Sequence, residues 1–268
     1  MSISADLPVI WRHATDVAVP ILKNTGSLVA ALAIGKLLLD LWRGTFGRRR
    51  RWLKLYRQLS LGLQVDYLFE LFGKAAYKRV VTVSPGEDTI EYVWPLSTDG
   101  YLQAIISSDE TVVRYSLTSC SRRFKPKLQM GGPKGTSSTF KVKLGSTRFA
   151  DLPGEISDVY LVRGASYYEY GENRYVGRPG KYAHWICSYN VMGTGHLEAI
   201  SIEIPVETDS MRLPPSWYEG LSEADQENVR QSRAKTVVNT VTISDSNGIG
   251  PDGGNFGPRY ELVERRLA

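Results

Sequence analysis

The apolar segment at residues 21–42 constrains this chain more than any other feature, because its centre is apolar around the whole helix axis. A helix over residues 26–42 is roughly 25 Å long at 1.5 Å per residue. Adding Ile21 and Leu22 brings it to the ~30 Å thickness of a bilayer's hydrocarbon core. The sequence therefore predicts a membrane-anchor helix at residues 20–43.

Lys36 is the main objection to a membrane span. A helix places it about 9 Å along the axis from Trp42, so its ammonium group can reach the near interface. Asp40 is an i,i+4 partner on the same helix face, and Trp42 suits the interface itself. An amphipathic helix lying on the membrane surface and a buried soluble helix stay open as alternatives.

A basic cluster follows the apolar segment directly. Residues 43–57 contain seven basic side chains and no acidic one, whereas only Arg12 and Lys23 lie near the start of the segment. Basic residues accumulate on the cytoplasmic side of membrane spans, so we expect a single-pass protein of the cell membrane with a cytoplasmic C-terminal body. The cluster expected to contact anionic lipid consists of Arg48, Arg49, Arg50, Arg51, Lys54 and Arg57.

The charge distribution argues against a nucleic-acid-binding domain, although the sequence pI is about 9.1. The whole chain carries +5, residues 1–42 are neutral and residues 43–57 carry +7, so residues 58–268 carry about −2. A nucleic-acid-binding domain spreads its Lys and Arg over a folded face. Contact with nucleic acid through Arg48–Arg57 alone is kept as an alternative.

The periodicity of the remaining chain predicts an α+β fold. Helical spacing of apolar residues over residues 48–74 is interrupted at Ser60-Leu61-Gly62, and Gly73 is suited to end the second helix. Strand-like patterns follow from Tyr77 onward, including a hairpin between residues 100–106 and 111–117. A further helix is expected near residues 222–232 and a strand near residues 236–243.

A weak internal repeat suggests a tandem architecture. Leu61-Gly62 and Leu144-Gly145 each precede an aromatic residue, a helical stretch and a run of strands, so each half reads as one helix covering an antiparallel sheet. The predicted organisation is a tail at residues 1–19, the anchor at 20–43, a basic juxtamembrane helix at 44–59, a first α+β unit at 60–128, a linker loop at 129–138, and a second α+β unit with a C-terminal extension at 139–268.

The sequence predicts no catalytic, cofactor-binding or metal-binding residue. Cys120 and Cys187 lack metal-ligand spacing. We expect them to be reduced core residues, and a single disulfide between them stays open as an alternative. Residues 245–252 fail the EF-hand pattern, and residues 132–136 fail the phosphate-loop pattern. An enzyme with a pocket near His184 and Cys187, completed by a distant aspartate, stays open as an alternative.

A tyrosine-rich stretch is the most site-like feature outside the basic cluster. Tyrosine buries a large area at low entropy cost, so it is a good anchor at protein interfaces. A plain strand–turn–strand hairpin with tyrosine on both faces is an alternative compatible with this reading. The candidate interface consists of Tyr167, Tyr168, Tyr170, Tyr175 and Tyr182.

Several short motifs occur in order from about residue 50 to the C terminus. They are Leu61-Gly62-x4-Tyr67-x4-Phe72-Gly73, Tyr101-Leu-Gln103-Ala104-Ile105, Tyr115-Ser116-x-Thr118-x3-Arg122-x-Phe124-x-Pro126, Leu144-Gly145-x3-Phe149, Gly177-x-Pro179-Gly180-x-Tyr182, Asn239-Thr240-x-Thr242 and Phe256-Gly257-x2-Tyr260. With the membrane segment before them, they make the chain resemble a family of bacterial membrane-anchored proteins common in actinomycetes. Lys74-Ala75 departs from that pattern, in which a proline is usual after Phe-Gly. The resemblance implies no catalytic residue.

The predicted helix-plus-sheet unit is also similar in fold to the β-lactamase inhibitor protein, which has two such units in tandem, and to outer-membrane assembly lipoproteins. In those proteins the sheet binds other proteins, and the analogy is one of fold alone. We therefore expect a membrane-anchored, non-catalytic protein-binding or scaffold protein without a cofactor, whose partners are anionic lipid and a protein.

Overall fold

Alternating β-branched and aromatic residues form most of the architecture, which is α+β with one large antiparallel sheet. The computed structural model describes residues 35–36, 47–84, 87–131, 139–163, 168–178, 181–195 and 210–245. The predicted anchor at residues 20–43 therefore lies outside the described residues except at positions 35–36. The chain divides into two compact units, residues 1–54 and residues 55–268.

The described secondary structure comprises three α-helices, two short 3-10 helices and eleven strands. The helices are α1 (Arg48–Tyr56), α2 (Val65–Phe72) and α3 (Glu223–Lys235), and the 3-10 helices are Phe149–Asp151 and Pro215–Trp217. The strands are β1 (Tyr77–Ser84), β2 (Glu87–Pro95), β3 (Gly100–Ile106), β4 (Val112–Ser119), β5 (Lys127–Gly131), β6 (Thr139–Lys143), β7 (Asp158–Arg163), β8 (Tyr168–Arg178), β9 (Lys181–Tyr189), β10 (Ser210–Leu213) and β11 (Thr240–Ser244).

Nine strands form one continuous sheet in the order β1-β2-β3-β4-β11-β9-β8-β7-β10, and β5 and β6 form a separate hairpin. Strands β1–β4 and β7–β9 are two antiparallel meanders, and β11 lies between them. Its five residues pair with β4 on one side and with β9 on the other. A strand from the far end of the chain thus connects the two meanders.

Strand register separates the sheet into two chemically distinct faces. One row of cross-strand neighbours runs Trp94, Leu102, Leu117, Val241 and Cys187, and we call the side that carries it the packed face. The adjacent row lies on the opposite side, which we call the polar face: Gln103, Ser116, Thr242, Ile186, Asn173 and Asp158. All eleven of these side chains are buried.

Helix α2 covers the first meander on the packed face. Phe69 makes an edge-to-face contact with Tyr92 at 5.3 Å between ring centroids, and Phe72 packs against Trp94 at 6.1 Å. The indole N–H of Trp94 donates to the carbonyl of Gly73 at 2.8 Å, which satisfies a buried polar group. The predicted break between the first two helices is confirmed, and Gly73 ends α2 with a positive φ of 75°.

The second meander is covered on the same face by the β5–β6 hairpin, the first 3-10 helix and α3. Met130 of the hairpin lies 3.8 Å from Cys187 through their sulfur atoms, and Phe149 contacts Tyr170 edge-to-face at 4.9 Å. Residues 129–131 were expected in a linker loop but belong to β5. Glycine-rich composition suggested a loop there, yet the alternating burial of β5 places Leu128 and Met130 against the sheet.

Three further secondary-structure predictions are confirmed. The hairpin expected at residues 100–106 and 111–117 is β3–β4. The helix expected near residue 222 is α3, and Ser222 is its N-cap, since its hydroxyl accepts from the backbone N–H of Asp225 at 3.2 Å. The strand expected near residues 236–243 is β11, which starts at Thr240.

Candidate functional site

The basic cluster lies on α1 and in the turn that follows it. Arg50, Arg51 and Lys54 are exposed on the helix, and Arg57 is exposed in the turn. The first turn of α1 contains no acidic residue. Arginines at a helix N-terminus are repelled by the positive end of the helix dipole, so this arrangement works against helix stability.

Among the tyrosines of the candidate interface whose side chains the structure describes, Tyr170 lies apart from Tyr175 and Tyr182. Tyr167 lies outside the described residues, and Tyr168 begins β8. Tyr170 is only 2% exposed, and its hydroxyl donates to Glu172 at 2.8 Å. Burial, with the adjacent Glu172 carboxylate, raises the pKa of Tyr170 well above its ordinary value. The prediction that Tyr170 belongs to an exposed interface was therefore wrong, because the register of β8 directs its side chain to the packed face.

Tyr175 and Tyr182 remain together as a small aromatic patch on the polar face. Tyr175 is 44% exposed and stacks on Tyr182 at 5.4 Å between ring centroids. The imidazole of His184 lies against the ring of Tyr175, at 4.8 Å between ring centroids. Its Nδ1 is 3.1 Å from the side-chain amide nitrogen of Asn173. The register of β8 and β9 explains the grouping, since Tyr175 is directly opposite His184.

His184 and Cys187 do not line a common pocket. They are three residues apart in β9, so the strand alternation directs them to opposite faces of the sheet. Cys187 is fully buried, and burial raises the pKa of its thiol to about 12. Because the thiolate is the reactive form, this cysteine is poorly suited to nucleophilic chemistry. Cys120 and Cys187 are both free cysteines.

A cavity of about 620 Å³ lies on the packed face between the turn after α1, the sheet and the β5–β6 hairpin. Its floor includes three cross-strand neighbours, since Ile243 of β11 pairs with Tyr115 of β4 and with Trp185 of β9. The described apolar and aromatic lining residues are Tyr56, Leu59, Tyr115, Leu128, Trp185 and Ile243.

The polar lining of the cavity is basic. Arg57, Lys127, Gln129 and Lys141 line it, all four are exposed, and no acidic residue is among its described lining residues. Lys127 and Lys141 lie on the two paired strands of the hairpin, where Lys141 is opposite Gln129. The site could not be assembled from the sequence because its walls come from six separate segments of the chain.

A buried ionic cluster on the packed face also escaped the sequence analysis. Glu172 is fully buried and accepts hydrogen bonds from Arg174 and from Arg233, each at 2.6 Å. Burial disfavours the charged form of Arg233, yet its pKa is raised overall because the Glu172 carboxylate outweighs that cost. Arg174 also donates to the carbonyl of Pro153 at 3.2 Å. These contacts join β8 to α3, which gives the cluster a structural role.

The motif residues Asn239 and Thr240 also act structurally. Asn239 exchanges two hydrogen bonds of 2.8 Å with the backbone of Asn190, and Thr240 contacts the hydroxyl of Thr118 at 2.9 Å. In the described part of the chain, no group of three or more His, Cys, Asp or Glu side chains is arranged to hold a metal ion.

Comparisons with protein-family models, with curated proteins and with solved structures found no match. Among the helices that the structure describes, none has the length and apolar character that crossing a bilayer requires.

Proposed function

We propose that this chain is a membrane-attached, non-catalytic binding protein. The observation that carries the proposal is the charge of α1, whose nine residues include four arginines and one lysine and no acidic residue. Each basic residue near an anionic membrane surface contributes about 1 kcal/mol of attraction. Arg50, Arg51 and Lys54 are exposed and free to approach lipid headgroups.

The apolar segment at residues 21–42 supplies the second half of the proposal. Two signals make a stable attachment, since an apolar insertion and a basic patch reinforce each other. The positive charge after this segment favours a cytoplasmic position for the C-terminal body. The same arrangement is what the resemblance of the ordered motifs to those of membrane-anchored bacterial proteins implies.

The protein-binding part of the proposal concerns the aromatic patch of Tyr175, Tyr182 and His184. Exposed tyrosine that is already stacked loses little freedom on binding a partner. The continuous antiparallel sheet provides a broad surface on which such a patch is displayed. An exposed aromatic patch of this kind fits a scaffold or adaptor protein.

Fractionation and vesicle flotation test the membrane attachment. The full-length chain should resist carbonate extraction from membranes, and a chain lacking residues 1–44 should not. The shortened chain should float with vesicles of phosphatidylcholine and phosphatidylglycerol at low salt, but not with phosphatidylcholine alone. In the shortened chain, the triple variant R50Q/R51Q/K54Q should lower this affinity on the order of 100-fold.

The matched control is R122Q/R123Q/K125Q, which removes the same charge from an exposed turn of the sheet-bearing unit. It should float like the unmodified shortened chain. Equal loss in both triple variants would mean that net charge alone drives the binding. Binding to neutral vesicles at equal strength, or a carbonate-soluble full-length chain, would refute the proposal.

A further inference from the structure

The cavity on the packed face has the dimensions of a ligand site. Ligand pockets in proteins span about 300–1,000 Å³ and combine apolar walls with a few placed polar groups. This cavity, at about 620 Å³, has an aromatic and aliphatic floor and a basic rim. All of its described lining residues belong to the unit at residues 55–268.

The floor favours an apolar ligand body. Tyr56 meets Tyr115 edge-to-face at 5.8 Å, and both are buried. Leu128 lies on the inward side of β5 and is also buried. An apolar group placed on this floor removes its own surface and that of Trp185 from water, which is favourable in proportion to the area buried.

The rim favours a negative charge. Arg57, Lys127 and Lys141 bring three positive charges to the mouth, and no described lining residue neutralises them. Like charges that share a small opening repel one another, and a bound anion removes that repulsion. Arg57 and the lysines can also form charge-assisted hydrogen bonds with a carboxylate or a phosphate.

One of the lining residues carries a buried polar group. The hydroxyl oxygen of Tyr56 is inaccessible to solvent and has no hydrogen-bond partner among the described residues. The nearby hydroxyl of Tyr115 donates to the carbonyl of Leu59 at 3.4 Å. Because solvent does not reach the Tyr56 oxygen, a ligand in the cavity finds its polar contacts at the rim.

Burial keeps the Tyr56 hydroxyl in its donor form. Desolvation raises the pKa of Tyr56 well above its ordinary value, and the neighbouring Tyr115 and Cys187 act in the same direction. The hydroxyl therefore stays protonated at neutral pH.

We propose that this cavity binds an amphipathic anion, with its apolar body on the aromatic floor and its carboxylate or phosphate at the rim formed by Arg57, Lys127 and Lys141. A cationic ligand is disfavoured by the rim, and a fully polar anion would leave the floor unused. The binding does not depend on the membrane attachment proposed above.

Photo-crosslinking of the full-length chain in phosphatidylcholine nanodiscs tests this site. A diazirine-bearing dodecanoate should label peptides that contain Tyr115 or Trp185, and the corresponding alcohol and trimethylammonium probes should label them at least tenfold less. A diazirine-bearing phosphatidylglycerol in the bilayer forms a second arm. Labelling by it identifies a membrane lipid as the ligand, and labelling by dodecanoate alone identifies a free amphiphile; either result supports the site.

Two variants separate binding from folding. K127Q/K141Q should reduce labelling by dodecanoate at least tenfold, whereas R123Q/K125Q, which removes two charges outside the cavity lining, should not. Equal labelling by the alcohol probe, labelling confined to other peptides, or full labelling of K127Q/K141Q would overturn the proposal.

Discussion

The substitution Glu172→Gln should destabilise the protein severely. Glu172 is fully buried, and its two carboxylate oxygens accept from Arg174 at 2.6 Å and from Arg233 at 2.6 and 3.3 Å. The side chain of Arg174 is only 1% exposed, whereas that of Arg233 is 24% exposed. Replacing the carboxylate by an amide leaves the guanidinium of Arg174 buried without its counter-charge.

Removing one partner of a buried ion pair costs about 3–5 kcal/mol, because an uncompensated charge stays in the interior. That is a large share of the ~5–15 kcal/mol that stabilises a typical domain. Arg174→Met should cost less than Glu172→Gln, because Glu172 keeps its ion pair with Arg233. Combining R174M with E172Q should recover part of the loss, since the buried positive charge is then removed as well.

Urea unfolding of the full-length chain in a nonionic detergent, followed by tryptophan fluorescence and near-ultraviolet circular dichroism, measures these differences. The control is Glu227→Gln, which breaks the exposed Glu227–Arg230 ion pair on α3 and should leave the midpoint unchanged within error. A stability of E172Q equal to that of E227Q, or greater than that of R174M, would contradict the reasoning.

Three further perturbations follow from the fold. Gly100→Ala should lower stability by about 1–3 kcal/mol, because its Cβ would collide with the carbonyl oxygen of Thr118; an unchanged melting temperature would contradict this. Asn239→Ala should cost about 1–3 kcal/mol, because the buried backbone N–H of Asn190 loses its acceptor, whereas the Asn190 carbonyl keeps its hydrogen bond from Gly193; urea unfolding that matches the unmodified chain would refute it. Burial raises the pKa values of Cys120 and Cys187 to about 12 from 9.0. The free energy of unfolding that the two buried thiols contribute should therefore be intact below pH 9 and fall as the pH rises from 9 to 12, because the thiols ionise first in the unfolded chain. Urea midpoints of the parent chain that stay constant over that range, relative to those of a C120A/C187A variant, would exclude this pH dependence.

Local signals in the sequence were sufficient for the elements that are fixed by a few neighbouring residues. Such signals are the turn residues between α1 and α2, the strand pattern of the β3–β4 hairpin and the helical pattern near residues 222–232, which all involve residues close together in the chain. The β5–β6 hairpin was missed because the glycine-rich composition of its connection outweighed the short alternating pattern of Leu128 and Met130.

The side-chain clusters depend on contacts between distant segments, so sequence reasoning could not assemble them. The cavity is lined by Arg57, Lys127 and Trp185, which are far apart in the sequence. The ionic cluster forms because Arg233 of α3 contacts Glu172 of β8. One usable signal was overlooked. Odd spacings within a strand place residues on opposite faces, and this separates Tyr170 from Tyr175 and His184 from Cys187 without any structure.

The central position of β11 has a consequence for how the protein is made. Both β4 and β9 are complete long before β11 leaves the ribosome, and each then presents a strand edge that only β11 later covers. At about 5–20 residues per second, the edge of β4 stays open for on the order of 10 s. Open edges recruit other strands, so the nascent chain is exposed to aggregation during this interval, and a product that ends before Thr240 lacks the strand that covers both edges.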